Sequence, residues 1–89
     1  MSQKIIIESL AMDLKRVALG YHRGSKVMAE RFKIEALKRG LELESQQIDD
    51  YLKTLLKKSK QALEGNTDKI AEDSLMYSTL FQNYVVKNM

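Results

Sequence analysis

His22 is the only imidazole in this 89-residue chain, and cysteine is absent altogether. A histidine metal cluster or a two-histidine mechanism therefore cannot be assembled within one chain, and no thiolate can substitute. The carboxylates that lie near one another in sequence are Glu42 with Glu44, Asp49 with Asp50, and Glu72 with Asp73. On a helix, neighbours one or two positions apart diverge instead of converging on one substrate atom, so these acids read as solvated or dipole-complementing groups. The stretch GYHRGS at residues 20–25 has neither the spacing of a phosphate-binding loop nor a strand before it. The expectation is a chain with no catalytic residue, no metal, no cofactor and no small-molecule substrate.

The constellation that rises above background is cationic. On one continuous helix at about 100° per residue, Lys15, His22, Lys26 and Lys33 fall nearly in line, with Arg16 and Arg23 flanking them. The line lies opposite an apolar stripe of Leu14, Tyr21 and Phe32, and only Glu8 and Glu30 interrupt it. Such a ridge follows a nucleic-acid backbone without reading bases. The alternative is a solvated polar face that happens to be rich in Lys and Arg. A basic amphipathic helix on an anionic membrane ranks lower, because the bundle needs its apolar stripe. A recognition helix in GYHRGSKVMAERF fits its motif poorly. The charge distribution agrees with the ridge. Residues 1–39 carry nine Lys/Arg against four Asp/Glu, whereas residues 40–89 carry six against eight.

The elements that must position these side chains are helices. Proline is absent, glycine occurs four times, and Leu, Lys, Glu, Ala and Met are abundant, a composition that favours long helices over strands. Leu10, Leu14, Val17, Tyr21, Met28 and Phe32 recur at three-, four- and seven-residue intervals, the mark of one buried stripe. Gly20 and Gly24 interrupt it at about 1 kcal/mol each relative to Ala. Either one helix runs to about Arg39, continuous or kinked near Gly20 and Gly24, or it breaks at Gly24 with Ser25 capping a second helix from Lys26. The unbroken phase of the stripe favours the first. Gly40, after Lys38 and Arg39, marks a helix end.

A further helix carries Ile48, Tyr51, Leu52, Leu55, Ala62 and Leu63, opened by Glu44, Asp49 and Asp50 and closed by Lys57, Lys58 and Lys60. Gly65 and Asn66 stop it, and Thr67 with Asp68 begins the last helix. That helix is apolar over most of its girth and is expected to be the most buried. Leu75, Met76, Leu80, Phe81 and Tyr84 on it form the expected interface with neighbouring subunits. The fold class is all-α, a small bundle of three to four helices forming a single domain over residues 1–89.

A domain of this size buries only roughly 60% of its unfolded surface, so protein partners or self-association are expected. The longest apolar run near the amino terminus, Ile5–Ile7, is far too short for a signal core or a span. With no cysteine, a cytoplasmic setting without membrane contact is the default. In general character, as a short, Cys-free, Pro-free helical bundle with one basic face, the chain resembles the small all-helical subunits of CRISPR effector complexes. That resemblance implies several copies side by side in a ribonucleoprotein, with Lys15, Arg16, Arg23 and Lys26 facing the strand. The leading expectation is a non-catalytic subunit that binds nucleic-acid backbone, DNA or RNA, inside a larger assembly. The competing one is a homo-oligomeric or regulatory protein-interaction module with no nucleic-acid role.

Overall fold

The computed structural model describes residues 2–65 and 67–89. They form four helices and no strand: α1 (Gln3–His22), α2 (Lys26–Glu44), α3 (Asp50–Leu63) and α4 (Thr67–Asn88). The all-α bundle expected from composition is the fold observed. α1 packs against α2 on one flank and α4 on the other, and α3 closes the ring against α4 and, more lightly, α2. Among the described residues no helix is long and apolar enough to cross a membrane.

The long first helix favoured by the stripe does not form. α1 ends in a Schellman turn: the Gly24 N–H donates to the Tyr21 carbonyl at 3.1 Å and the Ser25 N–H to the Gly20 carbonyl at 2.8 Å. This geometry puts Gly24 at φ 72°, a left-handed position that glycine adopts without a Cβ penalty. Ser25 then caps α2, its Oγ accepting from the Met28 N–H at 3.3 Å. The chain doubles back at once. A Cβ on Gly20 would lie 2.7 Å from the Ala29 nitrogen, so Gly20 is where the two backbones cross, not an open flat spot. The apolar stripe keeps its phase because both helices of the hairpin bury one face in the same core. Leu10, Leu14 and Val17 are buried from α1, while Tyr21, Met28 and Phe32 are half-buried around the hairpin.

Gly40 does not stop α2, which continues to Glu44. One glycine inside a helix costs about 1 kcal/mol, whereas burying a leucine side chain returns about 1.5–3 kcal/mol, and Leu43 is wholly buried one turn later. Propensity loses to packing here. Glu44 thus belongs to α2, and α3 opens on Asp49, whose Oδ1 accepts from the Leu52 N–H at 2.8 Å. Leu52, Leu55, Leu56, Ser59 and Leu63 face inward from α3. Tyr51 stays exposed and stacks on Tyr84 at 6.0 Å between ring centroids.

The central helix is α1, not α4. Ile6, Ile7, Leu10, Ala11, Asp13, Leu14, Val17, Ala18 and Gly20 are all buried, because α1 packs extensively against both α2 and α4, whereas α4 packs extensively against α1 and only lightly against α3. α4 buries a narrower face of Ile70, Ser74, Ser78, Phe81, Tyr84 and Val85. Its two serines let it approach α1 closely, and the Ser78 hydroxyl donates to the Ala11 carbonyl at 2.7 Å. Gly65 follows α3 as expected. The Asn66 part of that stop lies outside the described residues.

Candidate interaction surfaces

The hairpin dismantles the basic ridge, since collinearity of Lys15, His22, Lys26 and Lys33 required one helix through Gly24. Lys15 and His22 line a groove between α1 and α4 with Ala18, Leu19, Ala71 and Leu75. Arg23 and Lys26 sit exposed at the hairpin tip, and Lys33 is half-buried on α2. Among the described residues none of these five is in an ion pair.

Arg16 belongs to a different surface, a polar groove between α1 and α2 lined also by Asp13, Arg31, Phe32, Glu35 and Arg39. Its guanidinium lies 5.2 Å from the Phe32 ring centroid, with Arg31 at 5.9 Å from the same ring. It also lies 3.8 Å from the Asp13 carboxylate. Burial pushes the Asp13 carboxyl above its ordinary value, against the opposing pull of Arg39 and Arg16. Arg39 donates to Glu42 at 3.0 Å. Three guanidiniums meet here: Arg16 pairs with Asp13 and Arg39 with Glu42, Glu35 pairs with Lys38 at 3.8 Å, and Arg31 is in no ion pair among the described residues.

The interface expected on α4 divides in the same way. Phe81 and Tyr84 are buried in the chain's own core and are not available to a partner. The Tyr84 hydroxyl instead donates to Asp49 Oδ2 at 2.7 Å, tying α4 to the start of α3. Leu80 is half-buried, and Leu75 and Met76 are exposed. Leu75 faces the α1 side and Met76 the α3 side with Tyr51 and Tyr77, so the two do not form one patch.

The most regular apolar surface lies on α2, where sequence reasoning did not place a site. Facing the core, α2 buries only Ala29, Ala36 and Leu43, spaced by seven. Two residues earlier in each heptad stand Val27, Ile34 and Leu41, exposed by 84%, 54% and 60%. Positions seven apart stay on one side of a helix, so these three form a second apolar row on the outer side, about 21 Å long at 1.5 Å per residue. The signal was present in the sequence. A single stripe running through both helices leaves the remaining residues of α2, Val27, Ile34 and Leu41 among them, on the polar side.

Leu37 and Leu41 also border a groove of about 210 Å³ between α2 and α3. Leu10, Ala36, Leu56 and Leu63 form its apolar wall, with Lys60 and Glu64 at its edge. It opens because α3 leans on α4 and meets α2 lightly, across the small side of Gly40 and Ser59. The row and the groove are one continuous surface through Leu37 and Leu41.

Among the described residues no group of three His, Asp or Glu side chains could hold a metal ion. The geometry offers surfaces for contact. No family model, curated protein or solved structure matches this chain, so its reading rests on that geometry.

Proposed function

We propose that the chain is a non-catalytic helical interaction module that docks another protein along the outer face of α2. The observation that carries this reading is the exposed row of Val27, Ile34 and Leu41. Single exposed apolar residues are ordinary on any protein. Three of them in register along one helix, leading into an apolar groove, make the kind of strip that helix-in-groove recognition uses. The test compares what co-purifies from native cells with the tagged parent and with an Ile34→Asp, Leu41→Asp variant. The variant is expected to keep the parent's circular dichroism and melting temperature, since both side chains are largely solvated, while losing its protein partner. An unchanged set of partners refutes the reading.

A second reading, binding of nucleic-acid backbone within a ribonucleoprotein-like assembly, is favoured by one observation. Among the described residues Lys15, Arg23, Lys26 and Lys33 are in no ion pair, so their charge is available to phosphate. It requires binding to single-stranded or duplex nucleic acid that weakens steeply with salt. Replacing Lys15, Arg16, Arg23 and Lys26 with Ala is then expected to abolish that binding without unfolding the chain. We rank it second because the hairpin scatters these cations over three surfaces.

A further inference from the structure

On α1, Ser9, Asp13 and Arg16 are spaced by four and three residues, and on α2 Arg31, Glu35 and Arg39 are spaced by four, so each set shares one helix face. The hairpin turns these faces toward each other across an open polar groove of about 500 Å³, which Met12 and Phe32 also line. We infer that this groove binds a small phosphorylated molecule, its phosphate monoester group held by the guanidiniums of Arg16, Arg31 and Arg39. The site is independent of the α2 docking face, since none of Val27, Ile34 and Leu41 lines it.

Pairing within the chain does not use up these cations. Asp13 is paired with Arg16, Glu35 with Lys38 and Arg39 with Glu42, while Arg31 has no acid partner among the described residues. Along the lining, three arginines stand against two acids. Adding Lys38 and Glu42, the partners of Glu35 and Arg39, makes four cations against three acids. One positive charge is in surplus by either count.

Hydrogen bonding points the same way. Glu42 engages Nη1 of Arg39, whereas Arg39 Nε is buried with no hydrogen-bond partner among the described residues. A buried donor left unmatched is costly, and an oxyanion in the groove would accept from it. Phe32 holds the other two guanidiniums, Arg16 at 5.2 Å and Arg31 at 5.9 Å from its ring centroid. Stacking restricts both side chains before a ligand arrives, which lowers the ordering entropy lost on binding.

The number of guanidiniums selects phosphate over carboxylate. Each planar fork can donate to two oxygens, and a phosphate monoester offers three terminal oxygens and up to two negative charges, against two oxygens and one charge for a carboxylate. The more highly charged group also better offsets the repulsion from Asp13. A groove of about 500 Å³ lies in the range of small-ligand sites and leaves room for an organic moiety against Met12 and Phe32.

The test titrates the full chain with phenyl phosphate and follows nitrogen-15 NMR spectra, reading the arginine Nε–H signals and the amides of residues 9–16 and 31–39. Saturable shifts concentrated there, Arg39 Nε–H included, are expected, with benzoate binding at least about tenfold more weakly. Arg31→Ala and Arg31→Gln, the second keeping the side-chain stem on Phe32, are each expected to weaken binding at least about tenfold. Both should melt near the parent, because Arg31 is exposed. Arg23→Ala, at the hairpin tip, is expected to leave affinity unchanged. Shifts that grow without saturating, or that centre on Arg23 and Lys26, overturn the site, as does parent-like affinity in either Arg31 variant. Benzoate binding as tightly as phenyl phosphate overturns the phosphate ligand. Tighter binding of a single-stranded oligonucleotide through the same signals assigns the groove to nucleic-acid backbone, and the inference fails.

Discussion

Replacing Gly24 with Ala distinguishes the hairpin from a continuous helix by the sign of its effect. In one helix running through residues 15–33, Gly24 would be an interior glycine, and Ala there would stabilise by about 1 kcal/mol. In the hairpin, Gly24 has φ 72°, and an L-residue held in that region costs about 1–2 kcal/mol. No steric clash complicates the comparison, because a Cβ at Gly24 meets nothing within 4 Å. The two architectures thus differ by about 2–3 kcal/mol in the outcome and, more usefully, in its direction.

Gly40 supplies the internal control. It lies inside α2, and a Cβ there also meets nothing within 4 Å, so Gly40→Ala is expected to stabilise by about 1 kcal/mol. For a domain of this length, 1 kcal/mol moves the melting temperature by roughly 4–8 °C. Thermal and urea unfolding followed by circular dichroism should show Gly24→Ala melting below the parent and Gly40→Ala above it. Gly24 precedes α2 and Gly40 lies about 21 Å along it from Lys26, so their effects should add and the double variant should melt near the parent. A rise in melting temperature for Gly24→Ala refutes the Schellman turn. A fall for Gly40→Ala refutes a helix that runs through residue 40.

Ser78→Ala removes a buried hydroxyl that donates to the Ala11 carbonyl and should cost about 1 kcal/mol in urea unfolding. Ser74→Ala removes a buried hydroxyl with no hydrogen-bond partner and should be neutral or stabilising; equal losses at both sites would contradict the α1–α4 packing described. Phe81 is wholly buried, so Phe81→Ala should cost about 3–5 kcal/mol and threaten folding, while Leu75→Ala at an exposed site should leave the unfolding midpoint nearly unchanged. The Leu52 N–H, and next the Tyr84 hydroxyl, hold the Asp49 carboxyl below its ordinary value. A carboxyl lowered in the folded state adds stability above its unfolded value, about 3.9, that disappears as pH falls through the folded value. Urea midpoints between neutral and acid pH should therefore fall less steeply for Asp49→Asn than for the parent, and parallel curves would remove Asp49 as the source.

Much of the bundle was legible because capping and termination are local. Asp49 opens a helix wherever its carboxylate reaches the N–H three residues on. Gly40 misled because local propensity cannot register that Leu43 has a core to enter. The basic set was legible as charge, but its geometry depended on whether the chain turned at Gly24. Periodicity is blind to that choice, since a hairpin with both helices facing one core preserves the phase of the stripe. Phe81 and Tyr84 looked like interface because apolar residues read alike whether they meet their own chain or another.

The sequence by itself determined the helical class, the absence of thiol and multiple-imidazole chemistry, and the uneven charge, since composition and short-range hydrogen bonding decide these. Tertiary structure alone decided that α1 and not α4 is central, that the cations separate, and that α2 shows an apolar row outward. The physical reason is that burial is a property of neighbours. Ala29 and Val27 are close in sequence and belong to the same helix, but one meets Gly20 across the hairpin while the other meets solvent.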